Sequence, residues 1–151
     1  MKKDMAFLFL IFTSIFFAQA QNPIVIGYSD AIQSQILKEK RTVNIYLPEN
    51  YNQQDTIKYP VIYIIDGGID EDFFHIAGIV RFNTQPWINR FPKSIVVGIE
   101  NTDRKRDCSF KVDDLNFLDK MGFKKENFTT CGGSANYIAF IENELQPFIN
   151  K

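Results

Sequence analysis

Apolar residues stop alternating in one stretch of the chain. Val61-Ile62-Tyr63-Ile64-Ile65 is apolar at every position and rich in β-branched side chains, which predicts a strand covered on both faces, as in a parallel sheet. Pro60 marks its entry, because proline is tolerated at the first position of a strand and not inside one. Asp66-Gly67-Gly68 forms its exit, where glycine allows backbone conformations and close approaches closed to other residues. Asp70 is then placed to cap a helix, with Glu71 and Asp72 set against the positive end of its dipole. Phe73, Ile76, Ala77 and Val80 recur at helical spacing and give that helix a face to pack on the sheet. Ser94-Ile95-Val96-Val97-Gly98-Ile99 repeats the unbroken apolar character and predicts a second buried strand.

The remaining pattern fills in around this core. Ile24-Val25-Ile26 predicts a first strand ended by Gly27, and Ser34 to Leu37 a short second one. Val43, Ile45 and Leu47 alternate with polar or amphipathic neighbours, the period-two mark of a strand with one buried face. Pro48 to Asn52 stops it, and Gln53 to Lys58 is a polar surface turn. Asn83 to Pro92, which holds the only tryptophan, Trp87, breaks the first helix from the Ser94–Ile99 strand. Asp114 to Met121 predicts a short helix. Gly132-Gly133 breaks the chain again and Ser134 is placed to cap the last helix, lined on one face by Tyr137, Ile138, Ile141, Leu145, Phe148 and Ile149. Pro147 removes a backbone donor and predicts a kinked or tightened end. Strands and helices in this order predict an α/β fold, and a strand, glycine turn and helix is where such folds place ligand chemistry.

Composition and charge narrow the classes. Lys2 and Lys3, the apolar run Met5 to Phe17 and Ala18-Gln19-Ala20 predict a secretory signal over 1–20 with an A-x-A cleavage site. The expected mature domain is 21–151, secreted or periplasmic, and no other stretch is apolar enough to cross a bilayer, so no membrane partner is expected after cleavage. A formal charge of −1 gives no bulk attraction for nucleic acid or anionic lipid. The only cysteines, Cys108 and Cys131, are a candidate disulfide in an oxidising compartment. It would stabilise by about 3 kcal/mol in the chain-entropy model.

Several landmarks together resemble a known family. Arg41-Thr42-Val43-Asn44-Ile45-Tyr46-Leu47-Pro48, Tyr59 to Gly67, Asp103-Arg104-Lys105-Arg106-Asp107, and Gly132-Gly133-Ser134 leading into Phe140 to Pro147 resemble, in order, the serine esterases of the α/β-hydrolase superfamily that are esterase D-like or enterobactin-esterase-like. The resemblance covers Gln33 to the end. It implies the N-terminal half of an α/β-hydrolase fold, a mostly parallel sheet with flanking helices. It also implies hydrolysis of small-molecule acyl esters by a Ser-His-Asp triad without metal or cofactor. The Asp66-Gly67-Gly68 turn then falls where such enzymes draw an oxyanion-hole amide, and Gly68 or Ile69 N–H is the candidate. Asp103, Arg104, Arg106 and Asp107 would border the substrate mouth.

The nucleophile expected of that family is missing. None of Ser14, Ser29, Ser34, Ser94, Ser109 and Ser134 lies in Gly-x-Ser-x-Gly. Ser134 has Asn136 two places on and is expected to cap a helix. His75, the only histidine, has no nucleophile to serve. Asp66, Asp70 and Asp72 lack the glycine and closing glutamate of a calcium loop, so no metal is expected. The Asp103–Asp107 loop is expected to be solvated and self-paired. The chain is thus expected to lack the nucleophile strand and all three triad members and to be inactive by itself, with a non-catalytic binding module as the alternative. Without that strand, Val61–Ile65 exposes an open edge and self-association is expected.

Overall fold

The structure is a computed structural model that describes residues 22–54 and 56–150. The expected signal over 1–20 lies outside the described residues. Four strands form one sheet: β1 (Tyr28–Gln33), β2 (Lys40–Tyr46), β3 (Val61–Ile65) and β4 (Ile95–Ile99). Their spatial order is β1-β2-β4-β3. The β1–β2 and β2–β4 pairs are antiparallel and β3–β4 is parallel. The α/β class holds, with a mixed sheet in these residues.

Apolarity misplaced the first strand. Ile24 and Val25 are exposed coil, and Ser34 to Leu37 leads into and forms a turn. Pairing starts at Tyr28 opposite Ile45, and β2 stops at Tyr46 before Pro48. Residues ahead of Tyr28 therefore have little strand left to pair with. The turn that sets this register is held from a distance. The Glu144 carboxylate accepts from Ser34 Oγ and from the amides of Gln35 and Ile36, the last two at 2.8 and 3.1 Å. Burial pushes the Glu144 carboxyl up, but these donors more than reverse that and hold it below its ordinary value.

Helix α1 (Phe73–Asn83) covers one face of the sheet, where Phe73, Ala77 and Val80 pack on Tyr46, Ile64 and Val96. The other face carries Val43, Ile45, Val97 and Ile99 against Tyr137, Phe140 and Leu145. Strand β2 is therefore buried on both faces, Asn44 and Tyr46 included, where one buried face was expected. The second layer comes from α4 (Ser134–Phe140), a π-helical turn (Ile141–Leu145) and α5 (Gln146–Ile149). Between β4 and α4 in sequence come α2 (Arg104–Asp107) and α3 (Asn116–Lys120), the latter inside the span predicted as a short helix.

Three end effects differ from expectation. Before Pro147 the helix widens, and Gln146 N–H reaches Ile141 O five residues back. A proline ring clashes with the carbonyl four residues back, and a wider turn makes room for it. Ser134 is the first helical residue and Gly133 the cap; Ser134 N–H donates to Ser109 O. Asp70 does not cap α1. Asp72 takes the cap position without a side-chain bond, because Glu71 between them turns back toward Gly68.

Candidate active site

The turn at the end of β3 departs from ordinary backbone at an unexpected residue. Asp66, not Gly67 or Gly68, adopts the left-handed conformation, at φ 64°. Aspartate tolerates that region better than most residues, but a non-glycine residue there still carries strain. Several contacts hold it. Asp72 N–H donates to Asp66 O at 3.0 Å. Asn101 Nδ2 donates to Asp66 Oδ1 at 2.6 Å, and Arg104 Nε lies 2.9 and 3.0 Å from the two carboxylate oxygens. The Asn101 amide, with Arg104 beside it, holds the Asp66 carboxyl below its ordinary range.

Gly67 is required for space. A Cβ there would lie 2.3 Å from Gly98 Cα and 2.6 Å from Ile99 N. Gly67 N–H donates to Ile99 O at 2.9 Å, and the buried Asn44 donates through Nδ2 to Gly67 O at 2.9 Å. Asn44 is itself held by Ser29 Oγ. The turn is thus clamped by β4 from one side and by a β2 side chain from the other.

The two candidate oxyanion amides differ. Gly68 is buried and its N–H donates to Glu71 Oε2 at 2.7 Å. Ile69 is half-exposed, and among the described residues no hydrogen bond uses its N–H. Arg104 is the one residue of the charged segment that reaches this turn.

Of the rest of that segment, Lys105 is exposed and Arg106 pairs with Asp107, as expected of a solvated, self-paired loop. Asp107 is buried and Arg106 half-buried, against that expectation. Asp103 caps α2 by accepting from Arg106 N–H at 3.0 Å. Asp107 is 3% exposed and pairs with Arg41, which is 0% exposed. Arg41 also donates to Glu100 O at 3.3 Å and lies 5.3 Å from the centre of the Tyr137 ring. Its Nε is 2.9 Å from Glu39 Oε1 but out of line for a hydrogen bond. Arg106 forks onto Glu39 and also pairs with Asp107. These partners, Glu39 first, raise its affinity for the proton. A two-arginine, two-carboxylate network therefore seats α2, and with it Arg104, beside β2. Charge patterning cannot show this, because Glu39 and Arg41 lie more than sixty residues away in sequence from their partners on α2.

Other sequence candidates stand apart. His75 is exposed on α1, and Ser134 lies at the start of α4. Cys108 and Cys131 are free thiols, so the expected bridge is not formed. Among the described residues no cluster of His, Cys, Asp and Glu could hold a metal ion, and no helix is long and apolar enough to cross a membrane. A cavity of about 460 Å³ lies at the opposite end of β3, against Tyr51, Tyr59, Val61, Ile95 and Ile149.

Antiparallel β1 and β2, a β3 that pairs in parallel with β4, and a glycine turn after β3 define the N-terminal portion of an α/β-hydrolase fold. The comparisons agree. The family described as "Putative esterase" matches residues 34–151. An IroE-like serine hydrolase from Shewanella oneidensis is 35% identical with a TM-score of 0.70, over 82% of this chain and 37% of that one. The BES protein from Bacillus cereus (21%, TM-score 0.65, 86% and 50% of the two chains) and the siderophore hydrolase EstA from Aspergillus nidulans (16%, 0.62, 86% and 47%) share the fold. No curated protein matches. The chain belongs to the esterase family, and it spans half or less of the length of these solved relatives.

Proposed function

We propose that these residues are the oxyanion-side portion of a secreted, serine-type carboxylic-ester hydrolase acting on small-molecule acyl esters without a cofactor. The observation that carries this is the turn at the C-terminal end of β3. It is held by Asn44, Asn101 and Arg104, and two successive amides follow Gly67. Attack by a serine on an ester places negative charge on the carbonyl oxygen, and preorganised N–H donors stabilise that charge. Gly68 or Ile69 supplies one donor in this reading, and the residue after the nucleophile supplies the other. The similarity to a serine hydrolase at 35% identity supports the reading. In this reading none of the 151 residues serves as the nucleophile, the acid or the catalytic histidine.

The test is the longest product of the coding sequence. A Gly-x-Ser-x-Gly elbow is expected beyond Lys151. A product carrying it should hydrolyse p-nitrophenyl acetate and be labelled by a fluorophosphonate at the elbow serine. An elbow-containing product that does neither contradicts the reading. Export is read separately, by N-terminal sequencing, with Gln21 as the expected first residue.

Self-association of the 151-residue chain belongs to the same reading. β3 is the last strand of the sheet, and Pro60 O accepts from Ile95 N–H on its β4 side. By alternation, Val61, Tyr63 and Ile65 turn their backbone groups to the open edge. An open apolar edge is a template for another strand, and a lysine blunts it. Ile65 is 48% exposed, so Ile65→Lys is expected to shift the chain from oligomer to monomer in sedimentation equilibrium. A wild-type chain that is monomeric at the same concentration would remove the open edge as a cause of association.

A further inference from the structure

We propose that Glu71 is a gate on the oxyanion amide. In the resting chain its carboxylate fills the acceptor position in front of Gly68 N–H, which a reacting ester's oxygen must take. The carboxylate is held at two points: Oε2 accepts from Gly68 N–H at 2.7 Å, and Oε1 accepts from Asn101 Nδ2 at 2.6 Å. The same Asn101 nitrogen reaches Asp66 Oδ1 at 2.6 Å, so the gate and the strained residue share one support. A carboxylate oxygen resembles the oxyanion of a tetrahedral intermediate as an acceptor, and its charge shortens and strengthens the bond.

An amide has one hydrogen, so Gly68 N–H cannot serve Glu71 and a substrate at full strength together. Glu71 can yield without disturbing the fold. It is exposed and lies in the turn ahead of α1. Its backbone N–H stays on Gly68 O at 3.0 Å wherever the side chain points. The arrangement also separates the two candidate donors, since Gly68 N–H is gated and Ile69 N–H is open. Glu71 in this account is a positioning residue that sets when Gly68 N–H is available.

The proposal rests on the reading of Gly68 as an oxyanion donor, but its test reports the Glu71 contact directly. Amide ¹H–¹⁵N spectra of the full chain are compared with those of Glu71→Ala and Glu71→Gln, each titrated with sodium acetate. The wild-type Gly68 amide proton is expected downfield, and to move upfield in Glu71→Ala. It should return as acetate replaces the missing carboxylate, whereas acetate leaves the wild-type signal unmoved. Glu71→Gln keeps an acceptor oxygen without the charge and should fall between the two. It provides the same readout if the alanine variant does not fold. The Val96 and Val97 amides, deep in the sheet, should stay fixed in every folded variant. A Gly68 amide that is identical in wild type and both variants overturns the gate, as does an equal response to acetate in wild type and Glu71→Ala. Neither result depends on ester turnover, so failure of the esterase reading would show in the labelling experiment and not here.

Discussion

Arg41→Ala is expected to lower the unfolding free energy by about 3–5 kcal/mol, because removing one partner of a buried ion pair strands the other. Arg41 has no exposed surface and Asp107 almost none. Once the guanidinium is gone, Asp107 keeps only Arg106, and the Tyr137 ring loses the cation over its face. A second variant separates stranded charge from lost packing. Arg41→Met combined with Asp107→Leu removes both charges and keeps the volume. It should be less destabilised than the sum of its single substitutions, since apolar replacement of a buried pair is often close to neutral. Urea unfolding followed by far-ultraviolet circular dichroism measures both. A loss below about 1 kcal/mol for Arg41→Ala would place the pair among weakly contributing surface bridges. The network would then not be what seats α2.

Gly67→Ala is the second large effect. Its methyl would stand 2.3 Å from Gly98 Cα and 2.6 Å from Gly98 C and Ile99 N. All three are backbone atoms of β4, and the Gly67 N–H bond to Ile99 O keeps the two segments together. Nothing in the contact is the end of a flexible side chain. Relief would require β3 and β4 to separate, and overpacking with no way to relax costs about 3 kcal/mol or more. Gly68→Ala is the built-in contrast. Its methyl meets Glu71 Oε2 at 2.8 Å and Glu100 Cγ at 3.3 Å, both on side chains that can swing aside. The expected result is an insoluble or strongly destabilised Gly67→Ala beside a Gly68→Ala within about 1 kcal/mol of wild type by urea unfolding. Equal losses at the two positions would contradict the close approach of the turn to β4.

The contrast shows what the sequence could and could not reveal. Val61–Ile65, Ile95–Ile99 and the Phe73, Ala77 and Val80 face were legible because burial on both faces writes itself as an unbroken apolar run or a helical period. The glycine turn after β3 was legible for the same reason, as punctuation at the end of such a run. Its mechanism was not. Gly67 is needed for its distance from Gly98, thirty-one residues on, while the left-handed conformation falls on Asp66. Local pattern carries neither fact.

The polar clamp was equally hidden. Asn44 looked like the solvated position of an alternating strand, and it lies buried with its amide on Gly67 O. Glu71 looked like a dipole-compensating residue of the first turn, and it folds back onto Gly68 instead. Arg41 and Glu39 stand at the start of β2 in sequence but pair with Asp107 and Arg106 on α2. In each case a partner distant in sequence or a backward turn decided the outcome over local propensity. Edge apolarity misled in the opposite direction. Ile24 to Ile26 reads as a strand by composition, but β2 ends where it would need a partner.

The central claim is that these residues hold the oxyanion half of a serine-esterase site and not its nucleophile. The most direct measurement is p-nitrophenyl acetate hydrolysis by the purified 151-residue chain, beside its Ser134→Ala variant and a buffer blank. The account predicts the buffer rate from both proteins and no fluorophosphonate label on either. Turnover by the chain that Ser134→Ala abolishes, or a label on Ser134, would contradict it, because it would place the nucleophile at the start of α4.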